Sequence, residues 1–388
     1  MSENIKSNLL RLRVSNDMTQ SAVAESIGIS LLAYRNIESG ESIPSTPTIE
    51  KLAKLFNVNP GAFWETPENT IKAVRFRALS EDKNIRKREE IIYTVANWLK
   101  EFNNLLSLLK QEDKYTYQLS SLIGTTTDPI KMAKSAREKM KISQDEPIRD
   151  ICSLIESRAG IKIYAKEFFS DSFFGLSLLD NKDDRAIVVN TWNKISVERR
   201  KFTVAHELGH ILLHEKSYQE NITDEDSVEE SEANRFASYF LMPYTSFIDE
   251  WCKYDNCDFV DKVIKIKQTF GVSYQVVLYR LSEIIKGMKK ESQFNVWNAF
   301  REEYRKKYGV TLGKKDEMLP MNENIKELQS LSSTFYYGRG IADLVKQAFL
   351  KELINENDCA RILKLSLNEI ENLKGMWLFD SLICPNNS

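Results

Sequence analysis

Apolar residues recur along most of the chain at intervals of three or four positions, the spacing that places them on one face of an α-helix. The longest such run, residues 89–110, contains neither Gly nor Pro. It predicts a packed helix, with a helix that mediates dimerisation as the alternative. Further helical runs cover residues 130–141, 148–158, 228–243 and 296–308. The sequence therefore predicts a largely helical protein.

Three short segments have the alternating or unbroken apolar pattern of β-strands. They are residues 160–164, 173–179 and 185–190, with a polar turn at 180–184 between the last two. Within the second segment, residues 174–178 are either a sheet edge that pairs with an extended substrate or a buried strand. The predicted fold class is α+β, mainly α, with one small sheet.

Polar breaks at residues 66–70 and 289–291 help to divide the chain, whose length suits two to four domains. The predicted organisation is an all-α N-terminal domain (1–65), a helical connector (66–145), a domain containing the sheet (146–290) and a helical C-terminal domain (291–388).

Composition narrows the classes of function. The formal net charge is −2, so contact with nucleic acid would require a local basic patch. No run approaches the roughly 18 apolar residues of a membrane span, and the N-terminus lacks an apolar signal core. The five cysteines are scattered, which is typical of reduced thiols. We therefore expect a cytoplasmic protein without a membrane partner.

Turn residues punctuate short helices in the N-terminal domain. Thr19 and Ser30 are placed to cap two successive helices, and Gly28 between them readily adopts a positive φ. Two short helices joined by a glycine turn form a helix-turn-helix, whose second helix enters the major groove of DNA.

This domain resembles the XRE (Cro/repressor-like) helix-turn-helix family. The resemblance rests on Thr19-Gln20, Val23-Ala24, Gly28-Ile29-Ser30, Ile37-Glu38-x-Gly40 and the helix from Pro47 to Phe56. It implies that Gln20 contacts phosphate and that the exposed start of the second helix faces the bases. The leucines at 31 and 32 depart from this pattern, because they contact thymine methyl groups but cannot hydrogen-bond to base edges. The candidate DNA-binding residues are Gln20, Ser30, Leu31, Arg35 and Asn36.

Charge gives this interpretation limited support. Residues 1–64 carry six basic and six acidic side chains, and no net charge is left to neutralise phosphates. Residues 72–90 carry seven basic and four acidic side chains, and this tract either contacts the DNA backbone or forms a solvated helix face. We expect DNA binding, with a helix-turn-helix reused for protein contact or dimerisation as the alternative.

All three histidines of the chain lie within nine positions, 206–214. His206 and His210 enclose Glu207 in the pattern His-Glu-x-x-His, and positions four apart share one face of a helix. Two imidazoles on one face form half of a zinc site, and the adjacent carboxylate can act as a general base. The spacing therefore predicts a catalytic zinc centre.

A catalytic zinc centre needs a third protein ligand, and no histidine remains outside this helix. Glu230 flanks the apolar face of the helical run 228–243, with Asn234 beside it to orient a ligand. Glu230 also completes a capping box with Ser227, so spacing alone leaves both roles open. Glu229 is the reserve ligand, and His214 is interpreted as a packed or supporting histidine.

This region resembles the ImmA/IrrE family of zincin-like metallo-endopeptidases. The matching residues are Phe202-Thr203-Val204-Ala205-His206-Glu207-Leu208-Gly209-His210-x-x-Leu213-His214, Glu230-x-Glu232-Ala233-Asn234-x-Phe236-Ala237-x-x-x-Leu241-Met242-Pro243 and the later Phe270-Gly271-Val272-Ser273. The resemblance implies that His206, His210 and Glu230 bind Zn²⁺ and that Glu207 is the general base. Members are often fused to XRE domains and cleave helix-turn-helix repressors.

The expected function is therefore a zinc endopeptidase acting on a repressor or antitoxin, with a homodimer as one arrangement. Arg280 or Tyr279 would supply the oxyanion donor, although a structural ion pair is the favoured role for Arg280. The alternative function is a DNA-binding regulator whose zinc domain senses a ligand without cleaving anything.

Overall fold

The structure, a computed structural model of the chain, describes residues 2–16, 18–65, 71–78, 85–170, 173–180, 184–215, 218, 227–288, 295–312 and 339–383. The chain forms two compact units. The first contains residues 1–71, 80–110 and 344–388, and the second contains residues 72–79 and 111–343. Within the described ranges, no helix is long and apolar enough to cross a membrane.

The first unit is helical in its described part. Its helices are α1 (Ser2–Ser15), α2 (Gln20–Ile27), α3 (Leu31–Glu38), α4 (Thr46–Phe56), α5 (Ile85–Leu109), α14 (Arg339–Leu350, from residue 344 onward), α15 (Glu356–Leu363) and α16 (Leu367–Ile383). The predicted caps are confirmed, since Thr19 accepts a hydrogen bond from the Ala22 amide and Ser30 accepts one from Ala33. Gly28 ends α2 with φ 71°, as the helix-turn-helix pattern predicts.

A buried ion pair ties the N-terminal helices together. Arg13 on α1 donates from Nε to Glu38 Oε2 at 2.6 Å and from Nη2 to Glu38 Oε1 at 3.1 Å. Burial alone would raise the pKa of Glu38, but the hydrogen bonds and charge of Arg13 hold it below its ordinary value. Removing Arg13 would leave the buried Glu38 carboxylate without a cationic partner, whereas Arg13 also pairs with Glu90 on α5.

The long helix predicted for residues 89–110 is present as α5, and its apolar side is buried within the first unit. Val95, Leu99, Phe102 and Leu106 are at most 3% exposed, and α5 packs against α1. This packing accounts for the apolar stripe without a second copy of the chain, so a homodimer formed through α5 has no support from the structure.

The second unit combines helices with one sheet. Its described elements are β1 (Ile71–Ala78), α6 (Pro129–Lys139), α7 (Ile151–Ala159), β2 (Lys162–Lys166), β3 (Phe173–Asp180), β4 (Arg185–Asn190), α8 (Val197–Leu213), α9 (Ser227–Leu241), α10 (Tyr244–Lys253), α11 (Phe259–Phe270), α12 (Tyr274–Met288) and α13 (Val296–Tyr308). The predicted class, α+β and mainly α, is confirmed.

The sheet has the strand order β1-β3-β4-β2. β3 runs antiparallel to β4, with Gly175 opposite Val189, and β2 runs parallel to β4. The three predicted strands are present. β1 was not predicted, because all but the first of its residues lie in the basic tract 72–90, which was interpreted from its charge and not from its alternating pattern. β3 lies between two strands and is buried along its whole length, so the buried-strand interpretation of residues 174–178 holds.

The predicted segments are distributed over the two units. The long helix of the predicted connector belongs to the first unit, together with residues 344–388 of the predicted C-terminal domain. Residues 313–338 and 384–388 of that predicted domain lie outside the described part of the chain.

A buried carboxyl in the second unit is held in its neutral form at physiological pH. Burial raises the pKa of Glu156 on α7 to about 8. Hydrogen bonds from the backbone amides of Ile163 and Gly340 lower this pKa, but by less than burial raises it. In the unfolded chain this group ionises near pH 4.5. The contribution of Glu156 to the free energy of unfolding is therefore fully present below its pKa in the unfolded chain. It is lost as the pH rises from that value through the pKa in the folded protein.

We expect Glu156→Gln to stabilise the protein at neutral and alkaline pH, since an amide avoids the cost of keeping a carboxyl protonated. The gain should be about 3 kcal/mol at pH 7 and should vanish near pH 4.5. Thermal melts across this range, with Glu303→Gln at an exposed position as control, measure the effect. A gain that does not change with pH would contradict the assignment.

Candidate metal centre

Two imidazoles lie on the buried face of α8. The helix begins after Ser196, whose side chain caps it by accepting a hydrogen bond from the Arg199 amide. Its apolar residues pack into the core of the second unit, so His206 and His210 are 0% and 2% exposed. Their ring centroids lie 4.6 Å apart, as i and i+4 positions on one helix face require.

A glycine between the two histidines lets α9 approach α8 closely. A Cβ at Gly209 would lie 3.0 Å from the Phe236 ring and 3.3 Å from Ala233 Cα. Such contacts are tighter than ordinary packing, so a larger residue would push α9 outward. The close approach places the first turn of α9, which carries Glu230, next to the histidines.

Three potential ligand groups converge at this point. His206 Nε2 lies 3.3 Å from Glu230 Oε2, and His210 Nε2 lies 2.9 Å from Glu230 Oε1. The two Nε2 atoms are 2.9 Å apart, and the candidate ligand atoms of all three residues lie within 4.8 Å of one another. Burial would raise the pKa of Glu230, but hydrogen bonds and positive charge from the two imidazoles in their protonated form hold it well below its usual range.

The outer nitrogens of both rings are also engaged. His206 Nδ1 lies 3.0 Å from Asn234 Oδ1, and His210 Nδ1 lies 2.9 Å from His214 Nδ1. His214 Nε2 in turn lies 2.9 Å from Glu232 Oε2. Each ligand imidazole is thus held in orientation by a polar neighbour, as is usual around protein-bound metals.

These partners determine where the protons sit. The Asn234 oxygen only accepts, so His206 Nδ1 carries the proton and Nε2 presents a lone pair. The Glu232 carboxylate accepts from His214 Nε2, so a neutral His214 accepts at Nδ1 from His210 and leaves a second lone pair at His210 Nε2. Two lone pairs and a carboxylate aimed at one point repel one another unless a cation lies between them. The residues present therefore fit a metal ion.

Glu207 follows His206 on α8, and its side chain is held by Ser177 of β3 and, through Ser177, by Tyr218. Its Oε2 accepts a hydrogen bond from Ser177 Oγ at 2.5 Å, and Ser177 accepts one from Tyr218 Oη at 2.6 Å. Glu207 is 1% exposed. The carboxylate is therefore fixed in the protein interior, one residue along α8 from His206, rather than turned toward bulk water.

The structure shows which of the candidate site residues lie together. The convergent group found among the described residues contains Glu230 and not Glu229. His214 supports His210 and is not part of the ligand group. Arg280 is fully buried, lies 3.3 Å above the Tyr239 ring and donates to the Met242 carbonyl, which makes it a structural residue.

Sequence reasoning missed Glu232, Ser177 and Tyr218. A helical wheel points Glu232 away from the apolar face of α9, and it cannot show that His214 lies just past the end of α8, where the chain turns. Ser177 donates to Glu207 across 30 positions of the sequence and Tyr218 donates to Ser177 across 41, so no local pattern marks either residue.

The candidate DNA-binding residues lie on α2 and α3 of the first unit. Gln20 Nε2 donates to Glu38 Oε1 at 2.6 Å, and Arg35 Nε donates to Gln20 Oε1 at 3.3 Å. Ser30 caps α3, Arg35 is exposed and Asn36 is half-buried. Leu31 and Leu32 are 36% and 69% exposed at the start of α3. The surface is thus a mixture of polar and apolar groups.

Comparisons with known proteins agree with both halves of this description. Residues 157–282 match the peptidase M78 family, described as an IrrE N-terminal-like domain. Residues 9–63 match a helix-turn-helix family. The cryptic phage CTXphi transcriptional repressor RstR of Vibrio cholerae serotype O1 (strain ATCC 39315 / El Tor Inaba N16961) is 31% identical over 80 residues, which cover 20% of this chain and 71% of the relative.

The first match includes the two histidines, Glu207, Glu230 and the residues that orient them, and the second includes the capped helices α2 and α3. The chain therefore contains an IrrE N-terminal-like (peptidase M78) domain over residues 157–282 and an XRE-type helix-turn-helix domain over residues 9–63.

Proposed function

We propose that the protein is a zinc-dependent endopeptidase that cleaves a regulatory protein in the cytoplasm. The observation that carries the proposal is the convergence of two imidazole nitrogens and the Glu230 carboxylate beside a fixed Glu207. Three protein ligands with a neighbouring carboxylate are typical of catalytic zinc sites, which keep a fourth position for water or substrate.

The donor set favours zinc over the common hard cations. Two neutral imidazoles and one carboxylate suit Zn²⁺, whereas Mg²⁺ and Ca²⁺ prefer six or more oxygen ligands. His206, His210 and Glu230 would hold the ion. Zinc at such a site acidifies water and polarises the carbonyl of the bond to be cleaved.

Glu207 is assigned the proton transfers. Its carboxylate takes a proton from the attacking water and later gives it to the leaving amine. The hydrogen bond from Ser177 occupies Oε2 and restrains the rotation of the side chain, so the base needs little reorganisation during the reaction. Ser177 and Tyr218 are therefore positioning residues for Glu207.

The proposed substrate is a helix-turn-helix repressor or antitoxin. The chain itself carries a helix-turn-helix domain, and its relative RstR is a transcriptional repressor. We infer that the peptidase acts in the same regulatory setting as such repressors and that its cleavage releases the genes they silence.

The second candidate function is a DNA-binding regulator whose zinc domain senses a ligand or partner and cleaves nothing. The match of residues 9–63 to a helix-turn-helix family supports it. Glu207 distinguishes the two candidates, because a sensor needs the three ligands but does not need a general base.

We expect the purified protein to bind about one zinc ion per chain. His206→Ala or Glu230→Ala should remove the metal, and Glu232→Ala should lower the zinc affinity about 10- to 100-fold, because His210 loses its oriented partner. Titration against a chromophoric chelator measures the affinities. Glu229→Ala is the matched control and should bind zinc normally. A metal-free wild type, or loss of zinc in the control, would sink this ligand assignment.

We expect Glu207→Gln to retain zinc and fold while cleavage falls about 10²- to 10⁴-fold, since the amide cannot accept a proton. The substrates for this test are candidate helix-turn-helix repressors, each incubated with the zinc-loaded wild type or variant and followed by mass spectrometry. Equal cleavage by both proteins would refute the role of Glu207. An intact repressor after incubation with both would favour the sensor.

DNA binding is tested by selection from random duplexes followed by gel shifts at about 0.1 M salt. We expect a selected site, and we expect Arg35→Ala to weaken binding to it by about 1–3 kcal/mol, because Arg35 is exposed on α3. Lys54→Ala, at an exposed position on α4, is the control. Failure to select any site would favour a role for this domain in protein contact.

A further inference from the structure

A cavity opens next to the metal centre, between α8, α9, α12 and α13. Its volume is about 260 Å³. Phe202 lines it one helical turn before His206, and the centroids of these two rings are 6.5 Å apart. Asn234, whose oxygen is bonded to His206, also lines the cavity. The cavity and the metal centre therefore share a wall.

The lining selects for uncharged groups. Phe202, Val276 and Trp297 provide apolar walls, and no Asp or Glu is among the lining residues. The described lining residues offer a basic side chain no carboxylate to pair with, and burying it against the apolar walls would be costly. The one charged residue is Arg199, which is exposed and lies 4.6 Å above the Phe174 ring. An acidic side chain would meet Arg199 only where water screens the pair.

The size of the cavity fits one side chain. Sites for drug-sized ligands occupy about 300–1,000 Å³, and this cavity lies below that range. Ser238, which is 1% exposed, also lines it, and its hydroxyl has no hydrogen-bond partner among the described residues. A buried hydroxyl normally has a partner, so its position suggests that a polar atom of a bound ligand completes the site.

We propose that this cavity, named here the Trp297 pocket, receives one large uncharged side chain of the substrate, aromatic or long aliphatic, beside the bond to be cleaved. The inference rests on the proposed peptidase function and adds the substrate class. A peptide lying across the metal centre would place a side chain past His206 and Phe202 into the pocket. Basic, acidic and small side chains would gain little there.

Binding of metal-directed probes tests the pocket without relying on cleavage. The probes are two succinyl hydroxamates, whose hydroxamate group binds metal. They differ only in the substituent on the carbon next to the metal-binding CH2–hydroxamate group, which is benzyl in one compound and methyl in the other. We expect zinc-loaded wild type to bind the benzyl compound at least about tenfold more tightly in calorimetry, since the ring is buried. Val276→Trp should fill the pocket and bring the ratio of the two affinities to about one.

Val310→Trp is the matched control, because Val310 is exposed and does not line the pocket. It should retain the wild-type ratio. Trp297→Ala enlarges the pocket and should shift preference from the benzyl compound toward a naphthylmethyl compound. Circular dichroism and zinc content show whether each variant folds. If Val276→Trp does not fold, the shift of Trp297→Ala toward the naphthylmethyl compound still tests the pocket.

The possible failures are distinguishable. Equal affinities for the benzyl and methyl compounds in the wild type, or an unchanged ratio in Val276→Trp, would overturn the pocket while leaving the metal centre intact. Failure of the zinc-loaded wild type to bind either compound would overturn the metal centre, and the proposed role of the pocket would fall with it.

Discussion

The close packing of α8 against α9 is the constraint on which the site depends. Gly209 permits this contact, because any Cβ at this position would press against Phe236 and Ala233. The glycine lies between the two histidines, so the same short segment supplies two ligands and admits the helix that carries the third. A bulkier residue at position 209 would push α9, and Glu230 with it, away from both imidazoles.

The polar groups around this packing act as one system. Asn234 and the Glu232–His214 pair direct the protons to the outer nitrogens, and the inner nitrogens are left as lone pairs. This arrangement has a cost in the absence of a cation, because three electron-rich groups face one another in a buried place. The proposed metal would therefore stabilise this part of the fold, as in other sites where ligands meet only in the folded protein.

The sheet contributes through β3. Gly175 lies so close to Thr203 of α8 that an added Cβ would be 2.6 Å from the threonine methyl group, and Ser177 reaches Glu207 from the same strand. β3 thus fixes Glu207, the proposed general base, while α9 carries Glu230, the proposed third ligand. The Trp297 pocket lies along the α9 side, through Asn234 and Phe202.

Local features of the sequence determined much of this protein. Helix periodicity, the caps Thr19, Ser30 and Ser196, and the shared face of His206 and His210 all follow from interactions within a few residues. The choice of Glu230 over Glu229, the support of His210 by Glu232 and the hydrogen bond from Ser177 to Glu207 were decided only by the tertiary structure. Each joins residues on separate elements, and their distances depend on how those elements pack. The strand β1 belongs to the same class, because its pairing partner β3 lies about a hundred residues away and no local pattern records that contact.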